Sequence, residues 1–93
     1  MFRILYAEAV VKEDLPNILE PWKTEIRSAI NNKLANRPEV YSRPLKRSLI
    51  GYRKLRVGDY RIVFRVEEKN IKIFVIQHRS KVYNLAPDRI SEN

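Results

Sequence analysis

Leu55-Arg56-Val57-Gly58-Asp59-Tyr60-Arg61-Ile62-Val63-Phe64 is the stretch on which the fold turns. Apolar and charged residues alternate on both sides of Gly58-Asp59, the period of two strands joined by a tight hairpin. Glycine at the first loop position suits a type II′ turn, because that residue takes a positive φ. A two-residue loop sets Val57 opposite Tyr60, Leu55 opposite Ile62, Arg56 opposite Arg61 and Lys54 opposite Val63. Directly paired residues share a face. One face then carries Leu55, Val57, Tyr60, Ile62 and Phe64, and the other carries Lys54, Arg56, Arg61 and Arg65.

Working outward, Glu67-Glu68-Lys69-Asn70 reads as a solvated four-residue loop that sets Val66 against Ile71. The run Ile71-Lys72-Ile73-Phe74-Val75-Ile76 reads as a third strand, central because it is nearly all apolar. Unbroken alternation places Ile71, Ile73 and Val75 on the apolar face and Lys72 and Phe74 on the basic one, with His78 at its edge. The tail over 83–93 is expected to be a short helix. Upstream, 2–6 reads as a strand and 8–15 as a helix ended by Pro16. A second helix starts near Pro21, where Trp22, Ile26, Ala29, Ile30 and Leu34 form a stripe of helical period that packs on the apolar face, Trp22 included. Asn36-Arg37-Pro38 stops it, and the stretch to Leu49 reads as an irregular connection. The expected architecture is a single α+β domain over 1–93: an N-terminal strand and a two-helix hairpin packed on a small antiparallel β-sheet.

At 93 residues the chain has room for one core. With 0 Cys it has neither a disulfide framework nor a thiolate metal site, and one His leaves little for any other metal, so no cofactor is expected. No apolar run approaches the roughly 18 residues of a membrane span and no signal stretch opens the chain, so a cytoplasmic protein without a membrane partner is expected. Charge carries more information. Lys and Arg number 19 against 11 Asp and Glu, a net +8. Residues 1–40 hold 6 basic and 6 acidic side chains, whereas 41–93 hold 13 and 5, so the whole excess lies in the second half. A solvated basic surface accounts for net charge, but not for Arg56 opposite Arg61. Like charges facing each other across a ladder are destabilising, and such a local conflict is expected where a ligand supplies the missing negative charge.

Leu55 to Phe64, followed by His78-Arg79-Ser80-Lys81-Val82-Tyr83, resembles the RelE/ParE superfamily of toxins from type II toxin–antitoxin systems. The resemblance spans nearly the whole chain and implies that superfamily's fold. Its RelE-like branch cuts mRNA in the ribosomal A site without a metal; its ParE-like branch poisons DNA gyrase. Basic side chains on the sheet and a C-terminal Tyr mark the first, and the matching residues are Lys54, Arg56, Arg61, Arg79 and Tyr83, with Arg56 standing where relatives carry a second Lys. His78 is a further candidate, since relatives differ over whether His, Glu or Lys is the base. The resemblance implies that Arg61, with Arg56 or Arg79, clamps the scissile phosphate. Lys54, crowded by cations, is a candidate base, and Tyr83 stacks on a base or joins in proton transfer. Arg53, Arg65, Lys72, Lys81, Lys46 and Arg47 are expected RNA contacts. Tyr41, Tyr52 and Tyr60 are further aromatics able to stack, although Tyr60 belongs to the apolar face. The implied partners are a cognate antitoxin, mRNA and ribosomal RNA. A gyrase inhibitor and an inactive RNA-binding or repressor domain are the competing readings.

Overall fold

A computed structural model describes residues 1–91. Its core is a five-stranded sheet in the order β1-β5-β4-β3-β2, formed by β1 (Arg3–Tyr6), β2 (Arg43–Pro44), β3 (Arg53–Val57), β4 (Tyr60–Glu67) and β5 (Asn70–His78). Four strands run antiparallel, and β1 joins the outer edge of β5 in parallel, Ile4 opposite Ile71. The hairpin adopts the register that its alternation dictates, with Val57 opposite Tyr60 and Arg56 opposite Arg61. Gly58 has φ +58°. A Cβ there would also overlap the Trp22 indole, so the turn and the helix above it both require glycine. The next loop is tighter than expected. Glu67 pairs with Asn70, leaving Glu68 (φ +56°) and Lys69 as the turn, while Val66 still opposes Ile71.

One irregularity redistributes the faces. Phe64 pairs with Ile73 but Val63 with Val75, so Phe74 is the extra residue of a β-bulge. A bulge shifts every later side chain to the opposite face. Val75, expected on the helix face, therefore joins Phe74 on the other side, and Ile76 takes its place below the helices. The sheet is buried on both faces as a result. The first core gathers Leu55, Ile62, Phe64, Ile71, Ile73 and Ile76 under Val10, Ile26, Ile30 and Leu34. The second gathers Val63, Phe74 and Val75 under Val82 and Ala86 of α3 (Val82–Ser91), with Leu49 beside them. Residues 92 and 93 of the expected terminal helix lie outside the described residues.

The helical layer follows the apolar stripe. A segment over 8–17 closes with a 3-10 turn at Leu15–Asn17 that contains Pro16, and α1 (Trp22–Ala29) continues through a wider-wound turn, Ile30–Leu34. Ile26, Ala29, Ile30 and Leu34 are buried. Trp22 is not a core residue: it remains 36% exposed, at the helix start over Gly58 and 6.1 Å from the Tyr60 ring. The connection is more ordered than expected, holding α2 (Pro38–Tyr41), β2 and a 3-10 turn, Arg47–Leu49. Pro44 is accommodated in β2 because an edge strand has one side free of ladder bonds.

Beyond Tyr6 the chain leaves the sheet, and the outer edge of β5 would be bare. Asp14 fills the gap: its carboxylate accepts hydrogen bonds from the Ile76 N–H (2.9 Å) and Gln77 Nε2 (2.6 Å). Arg89 of α3 donates to the same carboxylate through Nη1 (2.9 Å) and Nη2 (2.7 Å), and to the Phe74 carbonyl (3.2 Å). Asp14 is 1% exposed and Arg89 6%. This buried pair ties the first helical segment and the last helix to one strand edge.

Candidate active site

The half of the second face that α3 leaves uncovered is basic. Tyr41, Arg43, Lys54, Arg56 and Arg61 line a pocket of about 220 Å³ there. Three strands supply its cations: Arg43 of β2 pairs with Lys54 of β3, and Arg56 of β3 with Arg61 of β4. No carboxylate is among the lining residues. Arg61 is fixed in place, its Nη1 donating to the carbonyls of Gly58 and Tyr60, each at 2.9 Å. Tyr83, on the first turn of α3 and 40% exposed, brings its ring centroid within 5.5 Å of Lys54 Nζ. Four cations, the fixed Arg61 guanidinium among them, and two exposed tyrosine rings have the chemistry to receive an anion with aromatic groups attached.

The structure thus brings Lys54, Arg56 and Arg61 together, as the hairpin register implies, and α3 adds Tyr83 to them. It does not bring His78 to them. The bulge at Phe74 turns His78 to the helix face, paired with Tyr60, its ring 6.0 Å edge-on from the tyrosine and its Nδ1 2.9 Å from Ser80 Oγ. Arg79 lies beyond the strand at the hairpin tip, where its backbone N–H bonds the Asp59 carbonyl (2.7 Å) and its Nε stands 3.8 Å from the Asp59 carboxylate. It is not a lining residue.

Several expected RNA contacts have partners within the chain. Arg53 shares the parity of Leu55, on the face away from the pocket, and is held by Ser42 and the Glu39 carbonyl. Arg65 lies on the basic face at its other end, stacked over Tyr52 at 5.3 Å and bonded to Glu67, which holds its guanidinium even more firmly protonated than usual. Lys72 sits over the Phe74 ring at 5.3 Å. Lys46, Arg47 and Lys81 are exposed and outside the pocket. Sequence reasoning missed Arg43. A two-residue strand containing proline has no periodicity to read, so nothing in the sequence signals its pairing with Lys54. Among the described residues no group of three or more His, Cys, Asp or Glu is placed to hold a metal ion, and no helix is long and apolar enough to cross a membrane.

Fold and pocket define the class: an α+β protein that presents a carboxylate-free cationic site at the open end of its sheet. Residues 7–83 match the family profile described as the ParE toxin of type II toxin–antitoxin system, parDE. The chain belongs to this family of toxins. Toxin RelE of Mycobacterium tuberculosis (strain ATCC 25618 / H37Rv) is 29% identical over 83 residues, covering 87% of this chain and 86% of that relative. Among solved structures, the toxin–antitoxin complex RelBE2 from Mycobacterium tuberculosis superposes with a TM-score of 0.78 at 21% identity, over 84% of this chain and 98% of that one. The RelB–RelE antitoxin–toxin complex from Methanococcus jannaschii gives 0.69 at 25% identity, over 89% and 99%. The protein is accordingly a toxin of a type II toxin–antitoxin system.

Proposed function

We propose that this toxin is a metal-independent endoribonuclease that cleaves mRNA in the ribosomal A site. The observation that carries the proposal is Arg56 opposite Arg61 in a pocket lined by no carboxylate. In the resembling RelE-like branch a scissile phosphate supplies the missing charge. The ribose 2′-OH attacks the adjacent phosphorus, the bond to the 5′ oxygen breaks, and the products are a 2′,3′-cyclic phosphate and a 5′-OH end. Such a reaction needs a positioned proton acceptor, cations on the phosphorane and a donor for the leaving oxygen. Arg61 and Arg56 hold the non-bridging oxygens, Arg43 adds a third guanidinium, Lys54 takes the 2′-OH proton, and Tyr83 stacks on a flanking base or donates to the leaving oxygen.

Primer extension on mRNA from a bacterial translation extract tests this. Wild-type protein cuts inside codons, and only when ribosomes are present. Arg61→Ala lowers the rate about 10²- to 10³-fold, the usual effect of removing one donor from a developing oxyanion. If Arg61→Ala and Tyr83→Phe both leave cleavage and growth arrest intact, the site is elsewhere. The matched profile is that of ParE toxins, and this favours gyrase inhibition as the second reading: growth arrest and loss of supercoiling by a chain that cuts no mRNA would establish it. Binding of RNA with neither effect would leave a repressor-like domain.

A cognate antitoxin is the proposed partner. Two of the solved relatives, RelBE2 and the RelB–RelE pair, are toxin–antitoxin complexes, and an acidic or amphipathic segment laid over this basic face would exclude RNA by mass action. Co-purification with the product of a neighbouring gene tests it.

A further inference from the structure

We propose that Tyr41 is a second base-stacking platform of this pocket, so that the site grips one dinucleotide step of single-stranded RNA, its phosphate between two unstacked bases. The proposal rests on the nuclease reading above and deepens it. Tyr6 ends β1, the edge strand farthest from β2; besides it and Tyr83, three tyrosines have the chemistry to stack, and the structure separates them. Tyr60 lies on the helix face, packed with Trp22 and the first core. Tyr52 lies edge-on to Phe74 at 5.4 Å, with the Arg65 guanidinium over its ring and bonded to its hydroxyl. Of the three, Tyr41 lines the pocket, and it is 47% exposed.

Placement gives the ligand its shape. Tyr41 ends α2, and Arg43, two residues on, pairs with Lys54 from the free edge of the sheet. Tyr83 reaches the same Lys54 from α3, which packs over β4 and β5. Strand order therefore sets Tyr41 and Arg43 on one side, Lys54, Arg56 and Arg61 in the middle, and Tyr83 on the other. Cations between two rings match a phosphate between two bases, and bases are recognised in this way only when splayed out of a helix. The Lys33 ammonium, 5.6 Å from the Tyr41 ring centroid, adds positive charge on that side.

A ring on a four-residue helix has to be held from elsewhere. Arg53 does this: its Nε donates to Ser42 Oγ (2.7 Å), and its Nη2 donates to the carbonyls of Ser42 (3.0 Å) and Glu39 (3.4 Å). Ser42 Oγ in turn donates to the Pro38 carbonyl. Arg53 is a positioning residue for Tyr41 and Arg43.

The test uses ribosomes programmed with mRNA and an empty A site, and reads cleavage rate against toxin concentration. Tyr41→Ala lowers the rate at sub-saturating toxin by about 5- to 150-fold, the worth of one base–aromatic stack, while Tyr41→Phe stays within about twofold of wild type. Messages carrying an abasic nucleotide at each A-site codon position in turn locate the base. At one position the abasic message slows wild type by the same factor and no longer distinguishes it from Tyr41→Ala. Wild-type rates for Tyr41→Ala, or a deficit that persists on every abasic message, overturn the Tyr41 proposal and leave the nuclease reading standing. A wild-type chain that cuts no message overturns both, and that outcome is read before any variant is compared.

Discussion

Arg89 and Arg61 belong to the same small sheet and live by opposite rules. Arg89 is buried against the edge of β5, its two terminal nitrogens bonded to Asp14, whose remaining acceptor capacity takes the Ile76 N–H and Gln77. Arg61 faces Arg56 across β3 and β4, and its own bonds go to two carbonyls, not to a carboxylate. Taking a guanidinium out of water is tolerable only with a partner, so the buried arginine is neutralised within the fold. A guanidinium at a pocket open to solvent is screened and needs none. The net +8 of the chain therefore sorts by depth, and the cations left unpaired at the open end of the sheet are the ones available to a ligand.

The largest effect follows from breaking the buried pair. Arg89→Met leaves the buried Asp14 carboxylate without its charged partner, with only the Ile76 N–H and Gln77 as donors, and a loss of about 3–5 kcal/mol is expected, read as a fall in the urea midpoint. That approaches the whole stability of many domains of this size. Adding Asp14→Asn to Arg89→Met removes the stranded charge but keeps an acceptor for the Ile76 N–H, so part of the loss returns. A single variant as stable as wild type would show that the pair does not hold the edge. Next comes Arg53→Met, which strips Ser42 and the Glu39 carbonyl of their donor. A loss of about 1–3 kcal/mol is expected, with a fall in cleavage resembling that of Tyr41→Ala, since the corner bearing Tyr41 and Arg43 loosens. Full activity in Arg53→Met would mean that α2 positions itself.

The same comparison explains what was legible in the sequence. Arg56 opposite Arg61 was readable because Gly58-Asp59 fixes the hairpin register and charged residues alternate with apolar ones on both sides. The bulge at Phe74 was not, because Ile73, Phe74, Val75 and Ile76 are all apolar and a slip in parity leaves no trace in such a run. That one invisible residue moved His78 off the basic face and created the second core that seats α3, and hence Tyr83, beside Lys54. The Asp14–Arg89 pair joins residues 75 apart, and neither shows its partner locally. Arg43 is hidden by the brevity of β2, and at Arg53 the charge is visible in the sequence while its acceptors on Ser42 and Glu39 are not.

The smallest expected effect has the most informative sign. Arg56→Gln removes one of two like charges set directly opposite each other, so it should stabilise the fold by about 0.2–1 kcal/mol while lowering cleavage. Because Arg56 is exposed, the gain is electrostatic and screened, large in dilute buffer and nearly gone in about 1 M salt, where the screening length falls to about 3 Å. Replacing Arg89 behaves in the opposite way, with a loss that salt barely alters, since no ions enter that site. Urea midpoints of Arg56→Gln and Arg89→Met at low and high salt make the comparison directly. If Arg56→Gln destabilises the chain at low salt, Arg56 contributes to the fold through contacts of its own, and the opposed arginines lose their meaning as a site held open for an anion.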